Sequence, residues 1–274
     1  MSEILGSWID GVPGTMVPFD DRGLQYGDGL FETMLVRNGR VRFLDSHLDR
    51  LEDGCERLGI PLVVDTSLRV EVLRTAAVAP DRAVLKLIVT RGSGPRGYAP
   101  RGQFRPRRVM TLSAASPLAV TAEGASLRIA RQTASENPAL AGLKHLNRLE
   151  NVLACQEPQH EACFDALLLD RAGQVVGGTM TNLFICRGGT MVTPRVDRAG
   201  VAGVMRGIVL RECGTLGLPV EVRPIAAAEL ALADEAFVTN ARIGVVPVRN
   251  VGEHVFRMNE IGARLAAHIE TLDA

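Results

Sequence analysis

Lysine is almost missing from this sequence. Of its 31 basic residues only Lys86 and Lys144 are lysines, and the other 29 (31 less those two) are arginines. A chain this poor in lysine does not use one for routine solvation, so each of the two asks for a reason. Aromatic residues are scarce at 4%, which argues against a stacking platform for nucleic-acid bases. An excess of positive charge is also missing. Lys+Arg and Asp+Glu both number 31, whereas a nucleic-acid-binding surface needs a basic surplus. The five cysteines form no Cys-x-x-Cys pair, so neither a disulfide framework nor a zinc site is expected, and the thiols read as free in a reducing cytosol. No apolar run approaches the roughly 18 residues that span a bilayer, and no basic stretch followed by an apolar one opens the chain as a leader. These absences point to a soluble cytoplasmic protein without a nucleic-acid, membrane or metal partner.

What is present is enough apolar residue, 46% of 274, for one large or two moderate domains. Asn38-Gly39 is the strongest hairpin signal, joining a strand over 31–36 to one over 40–44. Asp45 or Ser46 can cap a helix with Leu48, Leu51, Cys55 and Leu58 on one face, ended by Gly59 and Pro61. A second helix is expected over 66–77 and strands over 84–89 and 109–113. The small, polar, Pro-containing stretch 115–124 reads as a linker. It divides an α+β domain over 1–114 from a larger domain over 125–274. Strands and helices alternate in both without a regular βαβ beat, so the fold class expected is a two-domain α+β protein.

Lys86 lies inside the 84–89 strand, where a packing or sheet-edge role suffices. Lys144 follows a Gly-bearing loop and precedes an apolar-periodic run, Leu146, Leu149, Val152 and Leu153, which predicts a helix over 146–159 with the lysine at its mouth. An amine on a rigid element suits Schiff-base chemistry; the plain alternative is a surface lysine at a helix start. Gly92, Gly94 and Gly97 match G-x-G-x-x-G after a strand, but the prolines and glycines of 99–106 exclude the helix that a dinucleotide fingerprint requires. The segment is instead an arginine-rich loop, either solvated or an anion-receiving lid. Three further features could join Lys144. Arg50 is a helix-borne cation, Gly203-Val204-Met205 opens a helix whose N–H groups form an anion site, and Thr239-Asn240-Ala241 is a strand-end loop with more donors. An amine with phosphate-grade anion sites points to pyridoxal 5′-phosphate.

Six segments carry a family resemblance: 21–33 (Asp-Arg-Gly-Leu-Gln-Tyr-Gly-Asp-Gly-Leu-Phe-Glu-Thr), His47-Leu-Asp-Arg-Leu51, 91–98 (Arg-Gly-Ser-Gly-Pro-Arg-Gly-Tyr), 141–150 (Ala-Gly-Leu-Lys-His-Leu-Asn-Arg-Leu-Glu), 193–206 and 239–248. In this order they resemble the branched-chain aminotransferase-like (fold-type IV) pyridoxal-phosphate enzymes over essentially the whole chain. The 91–98 and 141–150 segments are similar in particular to the 4-amino-4-deoxychorismate lyases of that family. The resemblance implies a small N-terminal α+β domain, a larger domain with a mixed barrel-like sheet, and a homodimer. It implies that Lys144 bears the cofactor and acts as base and acid. It implies that Arg50, backbone N–H groups of Val204 and Met205, and the Asn240-Ala241 loop hold the phosphate. The reaction implied is loss of pyruvate from aminodeoxychorismate to give 4-aminobenzoate. The substrate is an anionic dicarboxylate, for which Arg96, Arg107 and Arg148 are the candidate receptors. The family's usual acidic partner of the pyridine nitrogen stands five positions before the Asn of Asn182-Leu-Phe184, and here that position is Gly177. A ring without that partner is a weaker electron sink, which favours the lyase over a D-amino-acid or branched-chain aminotransferase. A cofactor-binding protein with little activity is the remaining alternative.

Overall fold

Alternation in the first third of the chain builds an antiparallel sheet. A computed structural model describes residues 3–115, 124–158, 162–256 and 260–272. It falls into two compact units, Met1–Pro117 with Lys144–Asn147, and Leu118–Leu143 with Arg148–Ala274. Most of the expected 115–124 linker lies outside the described residues.

The first unit contains β1 (Ile4–Ile9), β2 (Val12–Pro13), α1 (Arg22–Tyr26), β3 (Gly29–Arg37), β4 (Arg40–Val41), α2 (Leu44–Leu58), α3 (Thr66–Ala77), β5 (Arg82–Thr90) and β6 (Arg107–Ala114). Its sheet runs β2-β1-β6-β5-β3-β4. Successive strand residues face opposite sides. Leu85, Leu87, Met110, Leu112 and Met34 are fully buried, as are Leu51 and Val72 of the helices nearly so. Each such side chain contributes on the order of 1.5–3 kcal/mol. The Asn38-Gly39 turn takes positive φ at both residues, 49° and 73°, as a tight hairpin requires. Neither expected cap starts α2. Phe43 is its N-cap, with φ 53° and no side-chain hydrogen bond.

The second unit contains β7 (Ala125–Thr133), α4 (Leu149–Cys155), β8 (Asp165–Leu169), β9 (Val175–Gly178), β10 (Asn182–Arg187), β11 (Thr190–Thr193), α5 (Val204–Thr215), β12 (Val220–Val222), β13 (Glu235–Asn240), β14 (Gly244–Val251), β15 (His254–Val255) and α6 (Glu260–Thr271). Its nine strands follow the order β12-β11-β10-β13-β14-β7-β8-β9, with β15 on β14. The sheet is mixed, with β7 parallel to both β8 and β14, and it curls into a half-barrel. Phe184 and Phe237 stack in it at 4.9 Å.

The expected 146–159 helix is corrected to Leu149–Cys155. Lys144 and Leu146 instead pair with β3 around an isolated bridge between Leu30 and His145: Phe31 N donates to Lys144 O at 2.9 Å and Leu146 N to Gly29 O at 3.0 Å. Local helical periodicity lost to a strand edge with unpaired backbone groups. Lys144 is therefore not at a helix mouth, and its segment packs with the first unit.

Candidate active site

In the first unit, β3 distributes charge to its two faces. Phe31 points to one side, and Lys144 Nζ lies 4.1 Å from the centroid of its ring, a cation–π distance. The backbone pairing to Phe31 and Gly29 fixes where this amine starts from. A Cβ on Gly29 would fall 2.4 Å from Val89 O and 2.8 Å from Leu146 Cδ1, so the segment's close approach requires glycine there.

Glu32, the next residue, points to the opposite face toward α2 and is 2% exposed. Arg50 grips it with Nε at 2.8 Å from Oε1 and Nη2 at 2.5 Å from Oε2. The Nδ1 atom of His47, fully buried, is 2.5 Å from Oε2. Burial alone would raise the carboxyl's pKa, but the Arg50 charge and the His47 contact outweigh it and hold Glu32 down at about 2. Arg50 is thus a preorganised cation rather than an exposed helix arginine.

The arginine-rich loop after β5 divides by role. Arg91 is buried, and its guanidinium binds Asp28 and the Leu58 and Gly59 carbonyls at the end of α2. Arg107 donates to the fully buried Asp21. Arg96 is exposed and makes no hydrogen bond or ion pair among the described residues.

In the second unit, α5 begins at Gly203 with no side-chain cap, which leaves first-turn N–H groups for a ligand. A Cβ on Gly203 would fall 2.0 Å from Asn182 Oδ1. That asparagine donates to Val201 O at 2.9 Å and pairs across the sheet with Thr239. The start of α5, with Val204 and Met205, is thereby tied to the end of β13. Thr239 is fully buried, and its hydroxyl has no partner among the described residues. The Asn240 side chain accepts from Arg242 N and Ile243 N at 2.9 and 3.0 Å and donates to Met180 O at 3.1 Å. These bonds engage the Asn240 side chain in shaping the turn at Ala241. Arg148 precedes α4, donates to Leu143 O at 3.0 Å, and burial lowers its pKa. Gly177 lies in β9 with φ 157°, and a Cβ there would stand 3.1 Å from Thr181 O.

Burial pushes the Cys55 thiol up to about 12 and that of Cys213 to about 11, so neither supplies a thiolate near neutral pH. Sequence reasoning missed Glu32 and Asp165. The signal for Glu32 was a carboxylate between Leu30 and Met34 on the apolar face of an alternating strand. Asp165, fully buried, accepts from Thr179 N and Oγ1, Thr181 Oγ1, Met180 N and Ala166 N at 2.6–3.3 Å. It organises the turn between β9 and β10.

The family model described as amino-transferase class IV matches residues 29–251. An aminodeoxychorismate lyase of Vibrio harveyi is 34% identical over 96% of this chain and 99% of its own. A putative branched-chain-amino-acid aminotransferase of Methanocaldococcus jannaschii is 32% identical over 94% and 90%. The crystal structure of 4-amino-4-deoxychorismate lyase from Pseudomonas aeruginosa superposes with a TM-score of 0.89 at 45% identity, covering 97% of this chain and 98% of that one. A lysine held by backbone on a strand edge, a clamped arginine and an uncapped helix start thus occur in a chain that belongs to the class IV amino-transferase family.

Proposed function

We propose that this protein is a pyridoxal-phosphate-dependent lyase that converts 4-amino-4-deoxychorismate to 4-aminobenzoate and pyruvate. The observation that carries this reading is the 45% identity, over nearly the full length of both chains, to the Pseudomonas aeruginosa lyase. The donors present fit the cofactor. The first-turn N–H groups of α5 and the unpartnered Thr239 hydroxyl suit a phosphate, with Val204, Met205, the Asn240-Ala241 backbone and Arg50 as its holders. When bound, the cofactor supplies an aldehyde that condenses with amines and a ring that accepts electrons.

Lys144 is the attachment point and the proton carrier. With the cofactor bound, its Nζ would take the proton from the substrate ring carbon bearing nitrogen. It then returns a proton to the methylene of the departing enolpyruvyl group, which leaves as pyruvate while the ring becomes aromatic. Arg96, Arg107 and Arg148 remain the proposed carboxylate receptors. Arg96 leads because it alone of the three has no protein partner among the described residues. Gly177 favours elimination over transamination, because aromatisation drives the former and the latter depends more on the ring. A homodimer in the cytoplasm completes the reading, supported by five unbridged cysteines and by an exposed apolar face on α4.

The test is incubation with aminodeoxychorismate, following 4-aminobenzoate and pyruvate together. Equimolar products are expected. Lys144→Ala should lower the rate at least about 10³-fold and remove the cofactor's visible band. Keto-acid-dependent amine transfer without aromatic product would overturn the lyase in favour of the aminotransferase reading, which the Methanocaldococcus jannaschii relative supports.

A further inference from the structure

The two lysines of this chain lie near the same ring. Lys144 Nζ is 4.1 Å and Lys86 Nζ 5.1 Å from the centroid of Phe31, so the separation of the two amines is bounded by the sum of those distances. Lys86 stands on β5, an interior strand of its sheet. Its neighbours Leu85 and Leu87 are fully buried on the face that packs under the helices, and Lys86 is exposed on the other face. A lysine in a sheet normally reaches an edge or snorkels to water past apolar neighbours. This one instead lies toward Phe31, diagonally across β3. Its direct cross-strand partners are Thr33 and Thr111, both uncharged. Among the described residues Lys86 forms no ion pair and no hydrogen bond, and its contact with the Phe31 ring is its one electrostatic interaction.

We propose that Lys86 is a second cation of the active site, one that receives a carboxylate of the substrate while Lys144 engages its amine. This rests on the lyase reading for the identity of the substrate. In aminodeoxychorismate, as in 4-aminobenzoate, the amine and a ring carboxylate are para to one another across one six-membered ring, a span within that bound. Phe31 offers an apolar side chain against which such a ring can lie. The flanking threonine hydroxyls add neutral donors and no competing negative charge. A flexible ammonium suits this place because it can follow the carboxylate as the ring flattens on aromatisation, whereas a bidentate arginine fork fixes one geometry.

The test uses the holoenzyme and the variants Lys86→Gln and Lys86→Arg, both at an exposed position. For Lys86→Gln, KM for aminodeoxychorismate should rise about 10-fold or more while kcat stays within about threefold, the pattern of lost uniform binding. Lys86→Arg, which keeps the charge but not the compact, mobile head, should recover only part of that loss. Borohydride labelling of Lys144 should be the same in all forms. A KM within about twofold of wild type, or a loss confined to kcat, overturns the proposal. Calorimetric binding of 4-aminobenzoate reads Lys86 without turnover. About 10-fold weaker binding by Lys86→Gln supports the inference even if the wild type proves to be a transaminase. Equal affinities, or no binding to wild type, overturn it.

Discussion

Glu32 shows how one carboxylate can set the state of a cation. Its two oxygens hold Arg50 by a fork and contact His47, all at a site with almost no water. Its pKa lies at about 2 against 4.5 for the free side chain. A depressed folded value means that stability is fully present above 4.5 and is lost as pH falls through about 2. At about 1.4 kcal/mol per pKa unit the cluster contributes on the order of 3 kcal/mol. Glu32→Gln should abolish that dependence, so urea melts at pH 5, 4 and 3 should show wild-type stability dropping while that of the variant stays flatter. Parallel curves would remove the cluster's linkage role. The same substitution frees Arg50 to change rotamer. Cofactor affinity should weaken several-fold if Arg50 binds phosphate, and pyridoxal lacking the phosphate should show no such difference. These roles were hard to read from sequence. Arg50 was legible as a helix arginine beside a recognisable motif, but its clamp depends on which face of β3 Glu32 takes. In sequence Lys86 reads as a strand lysine that snorkels, reaches an edge or points into a cleft, and the neighbour that decides among these, Phe31, is 55 positions away and adjacent only through strand pairing.

Among the elements, the turn from β9 to β10 depends on one buried group. Five hydrogen bonds to the Asp165 carboxylate come from residues 166 and 179–181. Asp165→Ala leaves these donors without partners and should cost roughly 3–5 kcal/mol; a thermal midpoint shift under about 3 °C would contradict this role. Next to it, Gly177→Glu tests the missing carboxylate. The Cβ contact of 3.1 Å with Thr181 O predicts a stability loss of about 1 kcal/mol or more, along with a gain in side transamination. Stability loss without any such gain would detach Gly177 from the choice of reaction. Elements governed by local pattern were legible, such as the Asn38-Gly39 hairpin and the β5 strand. The 144–147 segment was not. Leu146, Leu149, Val152 and Leu153 satisfy a helical period, yet the first of them is claimed by the open edge of β3, a contact between positions 30 and 145 that no local rule anticipates.

At the scale of the whole molecule, the shortened helix leaves a consequence. With Leu146 taken into the strand pairing, α4 presents Leu149, Val152 and Leu153 at spacing i, i+3, i+4, exposed by 77%, 47% and 50%. Three large apolar side chains on one face of a short helix are a poor use of surface unless something covers them. The proposed homodimer supplies a second copy, and the net charge of zero means that no long-range repulsion opposes its approach. Covering two leucines and a valine on each protomer gives roughly 1.5–3 kcal/mol per side chain at full burial. Leu153→Glu places a charge in that contact, and the dimer dissociation constant should rise by about 100-fold or more. Sedimentation velocity over a range of protein concentrations reads this directly. The wild type should sediment as a dimer at micromolar concentration and Leu153→Glu should move toward monomer. A Leu153→Glu protein that stays dimeric would place the interface elsewhere, and a monomeric wild type would remove the dimer from the functional reading altogether.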